Sequence, residues 1–200
     1  MSASAEVEVI PYVPNITIRE IKPSDIEVLK KLHDDFFPIK YEDDFFQNVV
    51  KHESGMKSWG AVDNNRPDGG TDELIGFLTA QFLLARNSEV GNLKFGPELG
   101  VLYISTIGVI KTYRRHGIAS SLIREAIEYA SKIPTCRAVY LHVISYNQEA
   151  VSFYEKMSFK NAGLQEKFYN IEGQDYDAYL FIYYCVKPGG GGCCSSCSIL

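Results

Sequence analysis

Cysteine is scarce in the body of this chain. Of the five cysteines in its 200 residues, three stand in the last eight positions, leaving Cys136 and Cys185 in the body. A small secreted fold held by disulfides needs an even, spaced set of cysteines, and this distribution does not supply one. The first residues also lack the charged and then apolar pattern of a secretory signal. We therefore expect a reduced protein whose body lies in the cytosol.

Long apolar runs and an excess of positive charge are absent as well. No run approaches the ~20 apolar residues that a membrane-spanning helix requires. The net charge is −5, and no basic stripe appears outside residues 111–116, which argues against nucleic acid as a partner. An apolar fraction of 46% with 22% charged residues is typical of a globular protein, and the length suits one domain with a substantial core.

What the chain does contain is an ordered series of strand and helix patterns. Alternating or β-branched segments predict strands at residues 16–21, 59–62, 74–84, 101–110, 138–144, about 168–171 and 178–186, the last two joined across residues 172–175. Amphipathic segments predict helices from a capping box of Ser24 and Glu27 to Pro38, and at residues 42–51, 120–132 and 148–157. Residues 86–99 are expected to form a long irregular loop. The order βααβββαβαββ indicates one α/β domain with a mixed sheet.

The segment Arg114-Arg115-His116-Gly117-Ile118-Ala119 stands between a predicted strand and a predicted helix. A helix start leaves several backbone N–H groups without partners, and the helix dipole makes that end attractive to anions. Gly117 lets the backbone approach a ligand, and Arg114 and Arg115 can pair with phosphate oxygens. The segment is therefore a candidate pyrophosphate site; the alternative is a basic turn that caps an ordinary helix.

The spacing Arg-x-x-Gly-x-Ala after such a strand resembles the acyl-coenzyme-A loop of the Gcn5-related N-acetyltransferase (GNAT) superfamily. Further segments stand in the order seen in N-terminal acetyltransferases: residues 37–41, 103–109, 140–143 and 147–155. The set resembles the NatF type, which acetylates N-termini that keep their initiator methionine, and resembles the NatE catalytic subunit somewhat less. The resemblance implies a single GNAT-fold domain over residues 16–187, with splayed parallel strands flanked by helices. It also implies acetyl-CoA as the cosubstrate, with no metal.

Acetyl transfer requires a neutral amine, yet an α-amino group with a pKa near 8 is mostly protonated at pH 7. His142 is suited to act as the base, and its place in an apolar strand suggests burial that keeps it neutral. Tyr103, on the neighbouring strand, could hold a bridging water or donate to the leaving thiolate. By resemblance, the two positions match the family's catalytic tyrosine and histidine. The alternatives are a satisfied core histidine and a packing tyrosine.

The cofactor residues follow from the resemblance. Where the strands part, a β-bulge exposes backbone groups to pantetheine, and Gly108 suits a bulge, a close ligand approach or a simple kink. Asn147 matches a contact to the pantetheine arm or caps the next helix, and for Phe153 and Met157 core packing is the alternative. The matched positions are Ile107, Gly108, Val109, Arg115, His116, Gly117, Ile118, Ala119, Ser120, Asn147, Tyr154, Glu155, Lys156 and Met157.

The acceptor side is predicted from an aromatic turn and a terminal hairpin. By resemblance, the turn residues Phe37, Pro38, Ile39 and Tyr41 line the pocket for the first substrate side chain, and Ser105, Phe168 and Tyr169 face the same groove. Burying one Met-sized side chain contributes ~1.5–3 kcal/mol, so an apolar pocket favours Met. Two residues depart from the NatF pattern: Lys40 replaces an acidic residue, and Phe168 replaces a tyrosine. Both put the substrate profile in doubt, but not the reaction class.

The ends of the chain are expected to lie outside the domain, as a lead-in at residues 1–15 and a tail at residues 188–200. Four glycines precede Cys193 and Cys194, and the last four residues, beginning at Cys197, fit the C-a-a-X prenylation signal, with Leu200 favouring geranylgeranyl. Palmitoylation of the two upstream cysteines would add a second anchor. The competing interpretations are a zinc knuckle, which lacks a fourth ligand, and an unmodified tail. The anchor hypothesis places the enzyme on the cytosolic face of the plasma membrane or Golgi, with a cytoplasmic pool.

The sequence thus predicts an N-alpha-acetyltransferase that acts on protein N-termini, preferring a retained Met followed by a hydrophobic or other residue. The first alternative is acetylation of lysine side chains or a small amine. The second is a membrane-tethered module that binds acyl-CoA without chemistry. The oligomeric state is not indicated by any pattern in the chain.

Overall fold

The computed structural model describes residues 12–90, 96 and 98–185. Its strands are β1 Ile16–Glu20, β2 Met56–Asp63, β3 Leu74–Leu84, β4 Gly100–Val109, β5 Cys136–Ile144, β6 Lys160–Ile171 and β7 Gln174–Tyr184. Its α-helices are α1 Ile26–Phe36, α2 Asp43–Lys51, α3 Ile118–Lys132 and α4 Gln148–Lys156. Within the described residues the strands form one mixed sheet in the order β1-β2-β3-β4-β5-β7-β6. The element order and the fold class predicted from the sequence are confirmed.

The helices cover the sheet on both faces. Helices α1 and α2 bury Leu29, Phe46 and Val49 together with Phe77 of β3. Helix α3 repeats its apolar residues at helical spacing, so one stripe enters a second apolar cluster. That stripe consists of Ile118, Leu122, Ile123, Ala126 and Ala130. The site lies between these two layers, at the carboxyl ends of the central strands.

Strands β4 and β5 are the parallel pair, and they part early. Their pairing runs from Gly100 with Cys136 to Tyr103 with Tyr140. Beyond that point β4 continues to Val109 on the side of β3, while β5 continues to Ile144 on the side of β7. Since each strand keeps its outer partner, the sheet opens into a gap between them. This is the splay that the sequence predicted.

The bulge beside the gap lies at a different residue from the one expected. Thr79 pairs with Thr106 and Ala80 with Ile104, so Ser105 is the extra residue. Gly108 serves packing instead, because a Cβ atom there would collide with the rings of Phe36 and Phe77. Glycine at this position lets α1 lie close against β4.

Two helix starts differ from the predictions. Ser24 does not cap α1; the Asp25 carboxylate accepts the backbone N–H of Lys22 at 2.7 Å and pairs with Arg19 at 2.7 Å. Pro23 opens a short 3₁₀ turn, which moves the N-cap of α1 from Ser24 to Asp25, by one residue. Helix α3 begins at residue 118 instead of 120, because Gly117 adopts a left-handed conformation at its N-cap.

The terminal hairpin is longer than predicted, and its turn is shorter. Only Glu172 and Gly173 form the turn, both with positive φ (51° and 84°), as a type I′ hairpin requires. In β6, Gln165 pairs with Ala178 and Tyr169 with Tyr176, which leaves residues 166–168 opposite the single residue 177. We call residues 166–168 the β6 bulge.

The chain ends lie mostly outside the described residues. These include residues 1–11, Cys193, Cys194 and Cys197, so the domain limits 1–15, 16–187 and 188–200 stay predictions. In the described part of the chain no helix is long and apolar enough to cross a membrane.

Candidate active site

Tyr103 and His142 meet where the two parallel strands part. Their ring centroids are 5.8 Å apart in an edge-to-face arrangement. Tyr140 lies against both, 4.9 Å from the ring of Tyr103 and 6.2 Å from that of His142. The sequence placed these residues on adjacent parallel strands, and the register of β4 and β5 brings them together.

The imidazole of His142 is covered completely, whereas its backbone remains accessible. Phe168, carried by the β6 bulge, stacks on it with a centroid distance of 3.9 Å and an interplanar angle of 19°. Desolvation by burial lowers the pKa of His142 to about 4, so the ring is neutral at pH 7. The side chain of Gln165 approaches the ring and partly offsets this shift in pKa, but within the described residues neither ring nitrogen makes a hydrogen bond of good geometry. A buried neutral imidazole with a free lone pair is a proton acceptor.

Glu89 is a site residue that the sequence did not reveal. Its Oε2 lies 3.1 Å from His142 Nε2, close enough to stabilise a charged imidazolium, although the angles are not those of a hydrogen bond. Burial raises the pKa of Glu89. The residue stands in the connection after β3, where no motif marks it. The signal available was the unusual length of that connection, since long loops carry functional groups more often than packing groups.

Tyr103 keeps its proton in this environment. Burial raises the pKa of Tyr103 well above its usual value, and interactions with Tyr169, Glu89, Tyr140 and Tyr41 add to the effect. Its hydroxyl is therefore a hydrogen-bond donor over the whole physiological range.

The acceptor side joins the aromatic turn to the β6 bulge. Tyr169 donates its hydroxyl to the His142 carbonyl oxygen at 3.4 Å. Phe37 and Tyr41 pack together with a centroid distance of 6.1 Å. Two other residues predicted for this side, Ser105 and Ile39, are half-buried. Pro38 and Lys40 are exposed.

The backbone of Ile107 and Val109 faces the gap. Ile110 donates its N–H to Ile75 O at 2.9 Å, and bonded residues alternate along an antiparallel ladder, so Gly108 also faces β3. The groups of Ile107 and Val109 then point away from β3, and Arg114 Nε donates to Val109 O at 3.2 Å. An amide-bearing ligand in the gap meets a strand edge here that no neighbouring strand pairs with among the described residues.

The segment before α3 forms an anion site. Arg115 and Gly117 both have positive φ, 69° and 78°. The first helical bond runs from Ser121 N–H to Gly117 O, and no side chain caps the helix. The N–H groups of residues 118–120 therefore lack helical partners. Alternating backbone conformations of this kind direct successive N–H groups toward an anion. A Cβ at Gly117 would meet no atom within 4 Å, so the place beside it is open.

A buried carboxylate holds the start of this segment. Tyr113 donates its hydroxyl to Asp63 Oδ2 at 3.0 Å, and Asp63 Oδ1 accepts the N–H groups of Asn15 and Asn65. Burial opposes the charge of Asp63, but these hydrogen bonds outweigh it and lower the pKa of Asp63. The anion site is thus tied to the end of β2.

The sequence pattern of the Acetyltransferase (GNAT) family matches residues 26–159 of this chain, which include the gap and the candidate anion site. The chain belongs to this family. This chain is 46% identical to histone acetyltransferase MCC1 of Arabidopsis thaliana over 186 residues. The matched region covers 91% of this chain and 75% of that protein. The chain is 30% identical to N-alpha-acetyltransferase 60 of Danio rerio, covering 88% and 74%.

Solved structures agree with this assignment. The crystal structure of Arabidopsis thaliana NAA60 with a bisubstrate analogue has a TM-score of 0.81 and 50% identity, covering 85% of this chain and 98% of that one. The same protein in complex with acetyl-CoA matches at 49% identity and the same TM-score and coverage. The predicted GNAT fold and NatF resemblance are confirmed. The chain is an acetyl-CoA-dependent N-acetyltransferase.

Some residues predicted to bind the cofactor have structural partners in the GNAT chain. Asn147 caps α4, its Oδ1 accepting Ala150 N–H at 3.1 Å, as the alternative interpretation held. Tyr154 is only 7% exposed and packs against Phe159 and Phe181, so its ring belongs to the core. Lys156 and Met157 border a surface depression at the end of α4, beside Arg124, and Glu155 is exposed.

Gly117→Ala should weaken acetyl-CoA binding. A left-handed conformation costs an L-residue about 1–2 kcal/mol, and the loop can relieve this strain only by turning its N–H groups away from the anion. Gly173→Ala is the matched control, since that hairpin glycine has a similar φ of 84° and equally open surroundings. We expect both variants to lose thermal stability, and Gly117→Ala alone to raise the KM for acetyl-CoA. If both variants kept the wild-type KM for acetyl-CoA, the role of this segment in binding an anion would be contradicted.

Proposed function

We propose that the enzyme acetylates the α-amino group of protein N-termini, preferring a retained Met followed by a hydrophobic or other residue. The observation that carries the proposal is the placement of Tyr103 and His142 at the apex of the gap, beneath Tyr41 and Tyr169. Relatives named N-alpha-acetyltransferase 60 support it, as does the bisubstrate complex of the Arabidopsis protein. The arrangement holds an acyl carrier on one side and a chain terminus on the other.

Acetyl-CoA fits the groups present. Residues 118–120 and Arg115 would hold the pyrophosphate, and the gap-facing backbone groups of Ile107 and the N–H of Val109 would pair with the pantetheine amides. The cosubstrate supplies the activated acetyl thioester. Asn147 uses one lone pair of Oδ1 for the helix cap, and its Nδ2 is the group that can donate to the pantetheine arm.

The residues of the gap can complete the transfer without an acyl-enzyme. The neutral His142 accepts the proton of the incoming ammonium, and the nearby Glu89 carboxylate stabilises the imidazolium. The amine nitrogen then attacks the thioester carbonyl carbon, and the carbon–sulfur bond breaks. Tyr103 donates its hydroxyl proton to the leaving thiolate, directly or through a bridging water, and regains a proton from the nitrogen, which carries one proton too many after the attack. Direct attack is favoured because, among the described residues, no cysteine or serine is hydrogen-bonded to His142.

The aromatic turn suits an apolar first side chain. Phe37 and Tyr41 present ring surface next to the gap, and a methionine buried there contributes ~1.5–3 kcal/mol. Tyr169 bridges to the His142 carbonyl and is placed to hold the acceptor backbone.

A second candidate function is acetylation of lysine side chains. It is favoured by one observation, the 46% identity to a protein named histone acetyltransferase MCC1. A lysine amine needs the same base and thioester but reaches the gap on a flexible stem, without a first side chain to fill the aromatic pocket.

Peptides that differ only in which amine is free separate the two candidates. One peptide carries a free α-amine on Met and no lysine, and its match carries a blocked α-amine and one internal lysine. We expect acetyl transfer to the first at least tenfold faster, since only it can fill the pocket. Mass spectrometry locates the acetyl group. Faster transfer to the lysine peptide would contradict the proposal, and no transfer to either would favour the non-catalytic module.

Removal of either reacting group should lower turnover and spare coenzyme binding. Positioned acid–base groups contribute about 10²–10⁴-fold, so Tyr103→Phe and His142→Ala should each reduce kcat by about 10²-fold or more. Tyr129→Phe, near the end of α3, removes a hydroxyl from a ring that packs against Trp59 away from the gap, and serves as the control. Acetyl-CoA affinity is measured by calorimetry for all three. Unchanged kcat in both site variants would eliminate this mechanism.

We further propose that the tail anchors the enzyme to the cytosolic face of the plasma membrane or Golgi, with a cytoplasmic pool. The support comes from the sequence alone. A geranylgeranyl group on Cys197 would give reversible binding, and palmitoyl groups on Cys193 or Cys194 would make it stable. The glycine run before them would let the domain reach N-termini near the surface.

Cys197→Ser should move the protein from the membrane fraction of eukaryotic cells to the soluble fraction. Ser195→Ala is the control and should leave the distribution unchanged. Mass spectrometry of the C-terminal peptide should show the mass of a prenyl group on wild type. An unmodified peptide together with a soluble wild-type protein would contradict the anchor.

A further inference from the structure

His33 is a buried titratable residue that the reaction does not use. It lies on α1, is 1% exposed, and its Nδ1 is 2.9 Å from Leu29 O. A carbonyl oxygen only accepts, so Nδ1 carries the hydrogen and Nε2 has the lone pair. Nε2 then accepts the hydroxyl of Thr106 at 3.1 Å.

The hydrogen-bond chain continues in one direction into the sheet. Thr106 has its only hydroxyl hydrogen committed to His33, so its oxygen accepts from Thr79, 2.6 Å away on β3. Burial lowers the pKa of His33 to about 4, which keeps the imidazole neutral and its lone pair available to Thr106. All three side chains are buried, so the hydrogen bonds are protected from water.

The same imidazole is the centre of the aromatic cluster that forms the acceptor turn. It stacks on Phe77 with a centroid distance of 4.4 Å. Its edges meet the turn residues Phe37 at 5.4 Å and Tyr41 at 5.2 Å. Rings packed only against rings can slide, because apolar contact has no direction. The hydrogen bond to Thr106 supplies the direction.

Thr106 stands at a decisive place on β4. It follows the bulge residue Ser105 and precedes Ile107, whose backbone faces the gap. One imidazole therefore touches both the turn that receives the first side chain and the strand that lies along the cofactor. Small errors in the separation of two reactants are costly to a transfer reaction.

We propose that His33 is a positioning residue that sets acceptor specificity. Through Thr106 it fixes the aromatic turn relative to β4, so that a correctly seated first side chain places its α-amine at the thioester. The inference rests on the proposed function and deepens it, since it names what aligns the pocket with the reacting carbon.

Thr106→Val removes the donor to His33 and keeps the side-chain shape. We expect the KM for a Met-starting peptide to rise about fivefold to tenfold, the loss of one buried hydrogen bond. Selectivity for Met over Ala as first residue should fall by a similar factor, while the KM for acetyl-CoA stays unchanged. Thr106→Ser keeps the hydroxyl donor, so the KM for the peptide and the selectivity for Met should both stay at the wild-type values.

Thr79→Val is the matched control. It removes an equally buried hydroxyl from the same chain but leaves the bond from Thr106 to His33 in place. Thr106→Val breaks both hydrogen bonds of Thr106 and Thr79→Val breaks one, so both variants should lose thermal stability, Thr106→Val more, and only Thr106→Val should change the peptide KM and the selectivity. If both variants lowered the melting temperature and left peptide kinetics unchanged, the role of His33 would be structural only, and the inference would be overturned.

Failure of the proposed function shows in a different measurement. If the wild-type enzyme transferred acetyl only to lysines, the N-terminal proposal would fail before any variant was made. If the wild type acetylated Met-starting peptides and the variants kept its selectivity, the positioning role alone would fail.

Discussion

The site depends on the place where β4 and β5 stop pairing. Parallel strands that continued side by side would use the backbone groups of Ile107 and His142 in their own ladder. They part because each is held from outside, β4 by β3 and β5 by β7, throughout its length. Helix α1 strengthens the hold on β4, since the ring of Phe36 occupies the space that a side chain at residue 108 would fill. The gap is thus built by attachments on its outer sides.

Desolvation is the second constraint, and it acts in opposite directions on two residues. Burial favours the neutral form of every titratable group. For His142 that form is a base with a free lone pair, and for Tyr103 it is an acid with its proton in place. A single apolar environment therefore sets the resting protonation state of both residues, although it makes His142 a weaker base and Tyr103 a weaker acid than in water. Glu89 enters from a more exposed loop and can carry the compensating negative charge.

The sequence was sufficient for the fold and for most of the site, because these depend on local signals. Hydrophobic periodicity located the strands and α-helices of the described residues, and the segment around Gly117 gave the candidate anion site. The sequence was insufficient wherever a contact with a distant residue decides the role of a side chain. Glycine at residue 108 is explained by a ring on another element, and Tyr154 is drawn into the core by its neighbours. Glu89 and His33 carry no motif, so only their distances to distant residues reveal them.

Because of the β6 bulge, the residues that lie over the active site can change without a change in the register of the sheet. On both sides of residues 166–168 β6 pairs with β7, and the Lys167 N–H is satisfied by Asp177. The excursion can therefore change in length or composition while the sheet keeps its register. Since it carries Phe168 over the imidazole and sets the start of the segment that bears Tyr169, alterations here reach the chemistry without disturbing the scaffold. A catalytic domain built this way can acquire new acceptors at little cost to its stability.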